Sequence, residues 1–170
     1  LIGNDFPPFD TTLSYSRGAI TLPLHTGEMM EVSLSDGVQW GKRFSTQAHS
    51  SVMWRFSLDP IGRLLSTFQQ RNDHDALQFA VVALKSFLDY SGKLGHQSLI
   101  GRIPSADHSA AIRVRVLIKF IQVMRERQDV NYALLVRACD CLKYWSDWIL
   151  EADHYCRNNH GLMGSIALLY

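Results

Sequence analysis

Two hydrophobic rhythms run along this chain, and they change over near residue 50. Ala19-Ile20-Thr21-Leu22-Pro23-Leu24 and Met30-Glu31-Val32-Ser33-Leu34 read as two short strands around Thr26-Gly27. Val32 and Leu34 alternate with polar neighbours, as a half-buried strand requires. Gln39-Trp40-Gly41-Lys42-Arg43-Phe44 reads as a third. Residues 1–50 form a lead-in too small to bury a core of its own, so it is expected to lie against the helices that come after it.

From Ser57 onward the apolar positions recur at helical spacing. Ser57-Leu58-Asp59-Pro60 is a start signal with proline in the first turn. Helices are expected over about residues 58–70, 74–90, 107–126, 131–152 and 159–170. Ser91-Gly92 ends the second, and a polar loop runs from Lys93 to Ala106. Asp107 is expected to cap the third, which is apolar nearly all round and therefore buried on most sides. The fourth is amphipathic. Its expected inner positions are Leu135, Cys139, Leu142 and Ile149; its expected wet face is Arg137, Asp140, Tyr144, Asp147 and Glu151. An interior helix followed by a half-wet one suggests helical hairpins packed in two layers.

Composition narrows the classes. With 170 residues, 46% of them apolar, the chain is long enough to bury a real core. A formal charge of +1 supplies no global field for nucleic acid or anionic membrane. No apolar run approaches the roughly 20 residues that span a bilayer. The chain starts at Leu1 with no signal peptide and stops at Ser165–Tyr170, inside an apolar helical pattern without a breaker. It is therefore expected to be a piece of something longer. Cys139, Cys141 and Cys156 are odd in number and lack CxxC spacing, so they read as buried free thiols.

Three segments carry candidate chemistry. Asn158-Asn159-His160-Gly161 precedes an apolar run. It reads either as a plain loop and helix N-cap, or as a carboxylate clamp in which amide, imidazole and helix-start donors converge on one anion. In Asp107-His108-Ser109-Ala110-Ala111-Ile112-Arg113, Ser109 and Arg113 share a helix face. A buried Arg113 calls for a carboxylate partner or a ligand, and a structural salt bridge is the expected one. Trp54-Arg55 is a cleft candidate, because arginine beside an indole suits a charged sugar. Asp153, His154, Cys156 and His160 lack metal-site spacing, so no metal is expected and no cofactor is called for.

Taken together these pieces resemble the heparinase II/III-like polysaccharide lyases, which include alginate and oligoalginate lyases. Trp54-Arg55-Phe56-Ser57-Leu58-Asp59-Pro60 opens the helices, Asp107-His108-x-x-Ala111-x-Arg113 starts an inner helix, and Asn158-Asn159-His160 comes third, in the family's order. The resemblance covers roughly residues 50–170. It implies a mainly α fold: a partial (α/α) toroid of helical hairpins, with residues 51–170 as its amino-terminal half behind the β-containing lead-in. It implies β-elimination at a uronic acid of an acidic polysaccharide or oligosaccharide. Asn159 would neutralise the carboxylate and His160 assist, with Trp54, Arg55, His108, Arg113 and Asn158 binding substrate. The family's Tyr acid/base and second His lie in later helices, so the missing carboxy-terminal half of the chain is an implied partner. Neither Tyr155 nor Tyr170 is assigned the Tyr role. A periplasmic or secreted bacterial location is implied by the resemblance alone. Two other readings stand beside this one: a non-catalytic sugar-binding or assembly domain in exopolysaccharide production, and a helical interaction module without a sugar role.

Overall fold

The computed structural model describes residues 6–9, 13, 15–41, 48–103, 105–127 and 131–151. These form six helices and one two-stranded antiparallel sheet. The strands β1 (Ala19–Pro23) and β2 (Met29–Ser33) pair with Ile20 opposite Val32 and Leu22 opposite Met30. Those four side chains are buried, while Thr21 and Glu31 face outward. The alternation read from the sequence therefore sets which face meets the helices. The expected third strand is not formed over its described residues 39–41. There Trp40 turns inward, and its indole N–H donates to Ser86 Oγ at 2.9 Å.

The first helix, α1 (Ala48–Phe56), was not expected. Its opening residues lack an apolar stripe, so tertiary contacts carry it: α1 packs on α5 (Ala106–Arg125) and on α2 (Asp59–Arg71). The corner between α1 and α2 is unusual. Leu58 is fully buried in the left-handed region at φ 66, a conformation costing a β-carbon residue about 1–2 kcal/mol. Ser57 does not cap α2. Its hydroxyl donates to Trp54 O at 2.7 Å and accepts from Asp59 N–H at 3.2 Å, fastening the corner instead.

Helix α3 (His74–Leu94) is capped by Asp73, which accepts from Ala76 N–H at 3.0 Å. It runs past the expected stop at Ser91-Gly92 because Gly92 lies exposed inside it, a position where glycine weakens a helix without ending it. Gly95, at φ 75, supplies the stop. The expected loop from 93 to 106 contains a short helix, α4 (His96–Ile100). Asp107 does not cap α5. Ser105 precedes that helix in a left-handed conformation, and Asp107 sits within its first turn. Asn131 caps α6 (Tyr132–Leu150), accepting from Leu134 N–H at 3.1 Å.

The helices pack as two hairpins side by side, α2 with α3 and α5 with α6. Helix α2 contacts α5 and α3 contacts α6. As expected, α5 buries more of itself than α6 does. The buried face of α6 is Leu134, Ala138, Cys141, Trp145, Trp148 and Ile149. It is thus rotated from the face read in the sequence: Cys139 is exposed and Tyr144 is half-buried. The two tryptophans decide the rotation, because their large apolar area outweighs that of Leu135 and Leu142. The lead-in and the helices share one core, and β2 packs on α3. The expected fifth helix, 159–170, lies outside the described residues.

Gly37 sets how closely the lead-in approaches α3. At φ 70 it exchanges backbone hydrogen bonds with Ser33, and a β-carbon there would collide with the Ser86 side chain. Gly27, at φ 82, has open space around that position. In urea denaturation Gly27→Ala should cost about 1 kcal/mol from backbone strain, and Gly37→Ala about 3 kcal/mol from strain plus overpacking. Equal losses would show that Ser86 does not limit the approach.

Candidate functional site

Two of the residues singled out in the sequence meet. Trp54, on the last turn of α1, and His108, on the first turn of α5, stand with ring centroids 5.8 Å apart, edge to face. Both are half-buried. Their segments are held together by Ser109, whose hydroxyl donates to Met53 O at 3.3 Å.

A third ring joins them, one that sequence reasoning missed. His25, in the turn between β1 and β2, packs on Trp54 with centroids 4.1 Å apart. Its Nε2 lies 3.2 Å from Asp59 Oδ2, at the first residue of α2. The turn is anchored beside this by Thr26 Oγ1, which shares a 2.7 Å hydrogen bond with Ser51 Oγ of α1. The two members of the pair differ in exposure: the His25 side chain is 43% exposed and the Asp59 side chain 9%. Burial pushes the Asp59 carboxyl above its usual range, opposed by its contact with His25 and by the charges of Arg63 and Arg115. His25 belongs to no spaced motif. The only signal for it was its place at the tip of an expected hairpin.

Arg55 parts from Trp54, as successive helical residues must, being turned about 100° around the axis. It is 3% exposed and donates from Nη2 to Gln39 O, with its guanidinium 5.5 Å from the Trp40 ring. Burial lowers its pKa to about 10. It borders a separate cavity of about 380 Å³ that is also lined by Thr21, Met29, Glu31, Ser33 and Gln39.

Arg113 is fully buried. No carboxylate among the described residues pairs with it, so the expected salt bridge is not formed there. Its Nε and Nη2 donate to Phe56 O at 3.0 and 2.5 Å, and its guanidinium stacks 3.9 Å above Trp145. Burial again lowers the pKa to about 10. The face of α5 shared by Ser109 and Arg113 thus binds the terminal carbonyls of α1, and Arg113 stands in the core, apart from Trp54 and His108. Beyond Trp145, His96 stacks on Tyr144 at 4.0 Å, and burial plus the nearby Arg113 charge lower its pKa.

Asn158, Asn159 and His160 lie outside the described residues, as do Asp153, His154 and Cys156. Among the described residues no group of three His, Cys, Asp or Glu side chains is placed to hold a metal. Burial pushes the Cys141 thiol up to about 11, so it packs as a small apolar group. No described helix is long and apolar enough to cross a membrane.

The Arg113 contacts make a testable distinction. A planar fork that stacks on an indole and grips one carbonyl cannot be replaced by an ammonium. Arg113→Lys should therefore cost about 3 kcal/mol, since it buries a charge without the fork, whereas Arg113→Met, which removes the charge, should cost about 1–2 kcal/mol. Equilibrium denaturation of the two variants gives the order, and a more stable Lys variant would mean that the charge itself is needed. Comparison of the chain with family models, with curated proteins and with solved structures gave no match.

Proposed function

We propose that this chain is the amino-terminal part of a polysaccharide lyase that cleaves uronic-acid-containing polysaccharide by β-elimination. The observation that carries the reading is the meeting of Trp54 with His108, which joins two of the three segments on which the family resemblance rests. In this reading the α2–α3 and α5–α6 hairpins are successive sectors of an (α/α) toroid. Helices α2 and α5 are its inner layer, and the remaining sectors are supplied by chain beyond residue 170.

The chemistry sets the requirements. The proton on the carbon next to a uronate carboxylate is weakly acidic while that carboxylate is charged. Donors that neutralise the carboxylate also stabilise the enolate formed as the proton leaves. Asn159 and His160 take that task in this reading, Asn158 supports them, and the half-exposed Trp54 and His108 border the sugar. Arg55 and Arg113, each engaged with a backbone carbonyl, hold the walls.

An amide that binds most tightly when charge has developed acts on turnover and spares ground-state affinity. In the complete protein Asn159→Ala should lower kcat on polyuronates by on the order of 10²–10³, with little change in KM. The ultraviolet absorbance of the unsaturated uronyl end reports the reaction directly. A complete protein that binds polyuronate and yields no unsaturated product would be the non-catalytic sugar-binding relative.

A further inference from the structure

We propose that the hollow on the outer face of the β1–β2 hairpin is a binding site for a free basic amino acid, a ligand with one carboxylate and two cationic groups. The site is separate from the Trp54–His108 contact and does not depend on the lyase reading.

One face of this hairpin is turned to the core through Ile20, Leu22, Met30 and Val32. The other face is polar, and an antiparallel pair commonly leaves such a face open to water. Here the chain that follows β2 and Arg55 of α1 wall it in, giving the cavity of about 380 Å³, which is on the scale of small-molecule sites. Its lining runs along β2 from Ser33 to Met29, about 13 Å at the rise of a strand. That length suits an extended chain better than a compact ring.

Three charged side chains line the hollow: Arg55, Asp36 and Glu31. No ion pair joins the guanidinium to either carboxylate. Arg55 is buried and its pKa is lowered to about 10, so it stays charged at neutral pH. Its hydrogen bond to Gln39 O holds it at the loop that also carries Asp36. A cation and a carboxylate at one end are what the α-carboxylate and α-ammonium of an amino acid require. Asp36 Oδ2 accepts from Ser35 Oγ at 2.6 Å, and Oδ1 accepts nothing among the described residues. Glu31 lies two residues from Ser33 on the same face of β2, exposed, with no hydrogen bond or ion pair among the described residues. It is placed to take a cationic side-chain end, about 7 Å along the strand from Ser33. Ala19, opposite Ser33, and Thr21, opposite Glu31, give the methylene stem a wall of small side chains. Two carboxylates against one guanidinium leave one negative charge uncompensated. A basic amino acid balances it, whereas an acidic one would meet repulsion.

Isothermal titration of the complete protein with L-lysine and L-arginine should give a Kd below about 1 mM for the tighter of the two. Three analogues each remove one group. The decarboxylated amine, cadaverine or agmatine, lacks the carboxylate; L-norleucine lacks the cationic end; the Nα-acetyl derivative lacks the α-ammonium and stands for the last residue of a peptide. Each should bind at least about tenfold more weakly, and Glu31→Gln should weaken the parent amino acid by about tenfold. Thr21→Trp should abolish binding by filling the hollow, with the urea midpoint near that of wild type, because strands accept aromatic residues. Glu31 and Thr21 are both exposed, so neither substitution opens the core. Absence of binding by both amino acids at about 10 mM overturns the proposal. So does binding of L-norleucine as tight as that of L-lysine. An affinity unchanged in Glu31→Gln or in Thr21→Trp places the ligand elsewhere on the protein and overturns it as well.

Discussion

The grip of α5 on the end of α1 is the contact on which the remaining geometry depends. A helix leaves its last carbonyls without partners, and inside a protein they must be satisfied or the helix cannot end there. Here the following turn takes three of them itself: Ser57 N–H donates to Met53 O, the Ser57 hydroxyl to Trp54 O and Leu58 N–H to Arg55 O, which leaves Phe56 O. Arg113 and Ser109 reach across from α5 and donate to Phe56 O and Met53 O. The contact fixes α1 along α5 and in rotation about its own axis, and so places Trp54 against His108. It also puts a guanidinium in the core without a carboxylate among the described residues. That charge is tolerated because its faces and edges are used separately: the Trp145 ring takes the face and a carbonyl takes two N–H groups.

The second constraint comes from the lead-in. Its strands bury one face only, so the hairpin must lie on the helices, and α3 receives it through Ser86. That hydroxyl donates to Ala83 O and accepts from Val38 N–H and the Trp40 indole N–H. One small polar side chain therefore closes three backbone and ring contacts at a point where only glycine, at position 37, leaves enough room. The far end of the hairpin is then carried to the α1–α2 corner, where Thr26 meets Ser51 and His25 meets Asp59. The lead-in brings an imidazole to a carboxylate that the helices alone would bury next to an indole.

Much of this was legible where period and caps agree. The two strands and the four long helices within the described residues stand near their expected places because each rests on local rules: alternation, a 3.6-residue stripe, Asn131 at a helix start. What was hidden rests on tertiary contact. Helix α1 has no stripe at its opening and forms against α2 and α5. Leu58 takes a left-handed conformation that no leucine prefers, because its full burial outweighs the local cost. The rotation of α6 stems from Trp145 and Trp148, which spacing alone weighs no more than leucines. At the site, Trp54 and His108 were nominated through motifs, yet nothing in a one-dimensional pattern joins them. Arg113 was legible as a buried cation, but its partner was not, since a backbone carbonyl has no signature in the sequence. His25 was silent for the same reason: its partner lies 34 positions away, across a hairpin and a helix.

The six residues from Trp54 to Asp59 show why fold and site are not separable here. Trp54 borders the two imidazoles, Arg55 turns to the hairpin loop, and Phe56 gives its ring to the core and its carbonyl to Arg113. Ser57 ties the corner, Leu58 fills the core in a strained conformation, and Asp59 holds His25. A straight helix through this stretch would place Trp54 and Asp59 five residues apart on a steadily turning surface, about 7.5 Å along the axis and well around it. The left-handed step at Leu58 breaks that progression. It lets one short segment set an indole and a carboxylate on the same imidazole. The strain at Leu58 is thus a condition of the His25 geometry, supported by the core packed around that leucine.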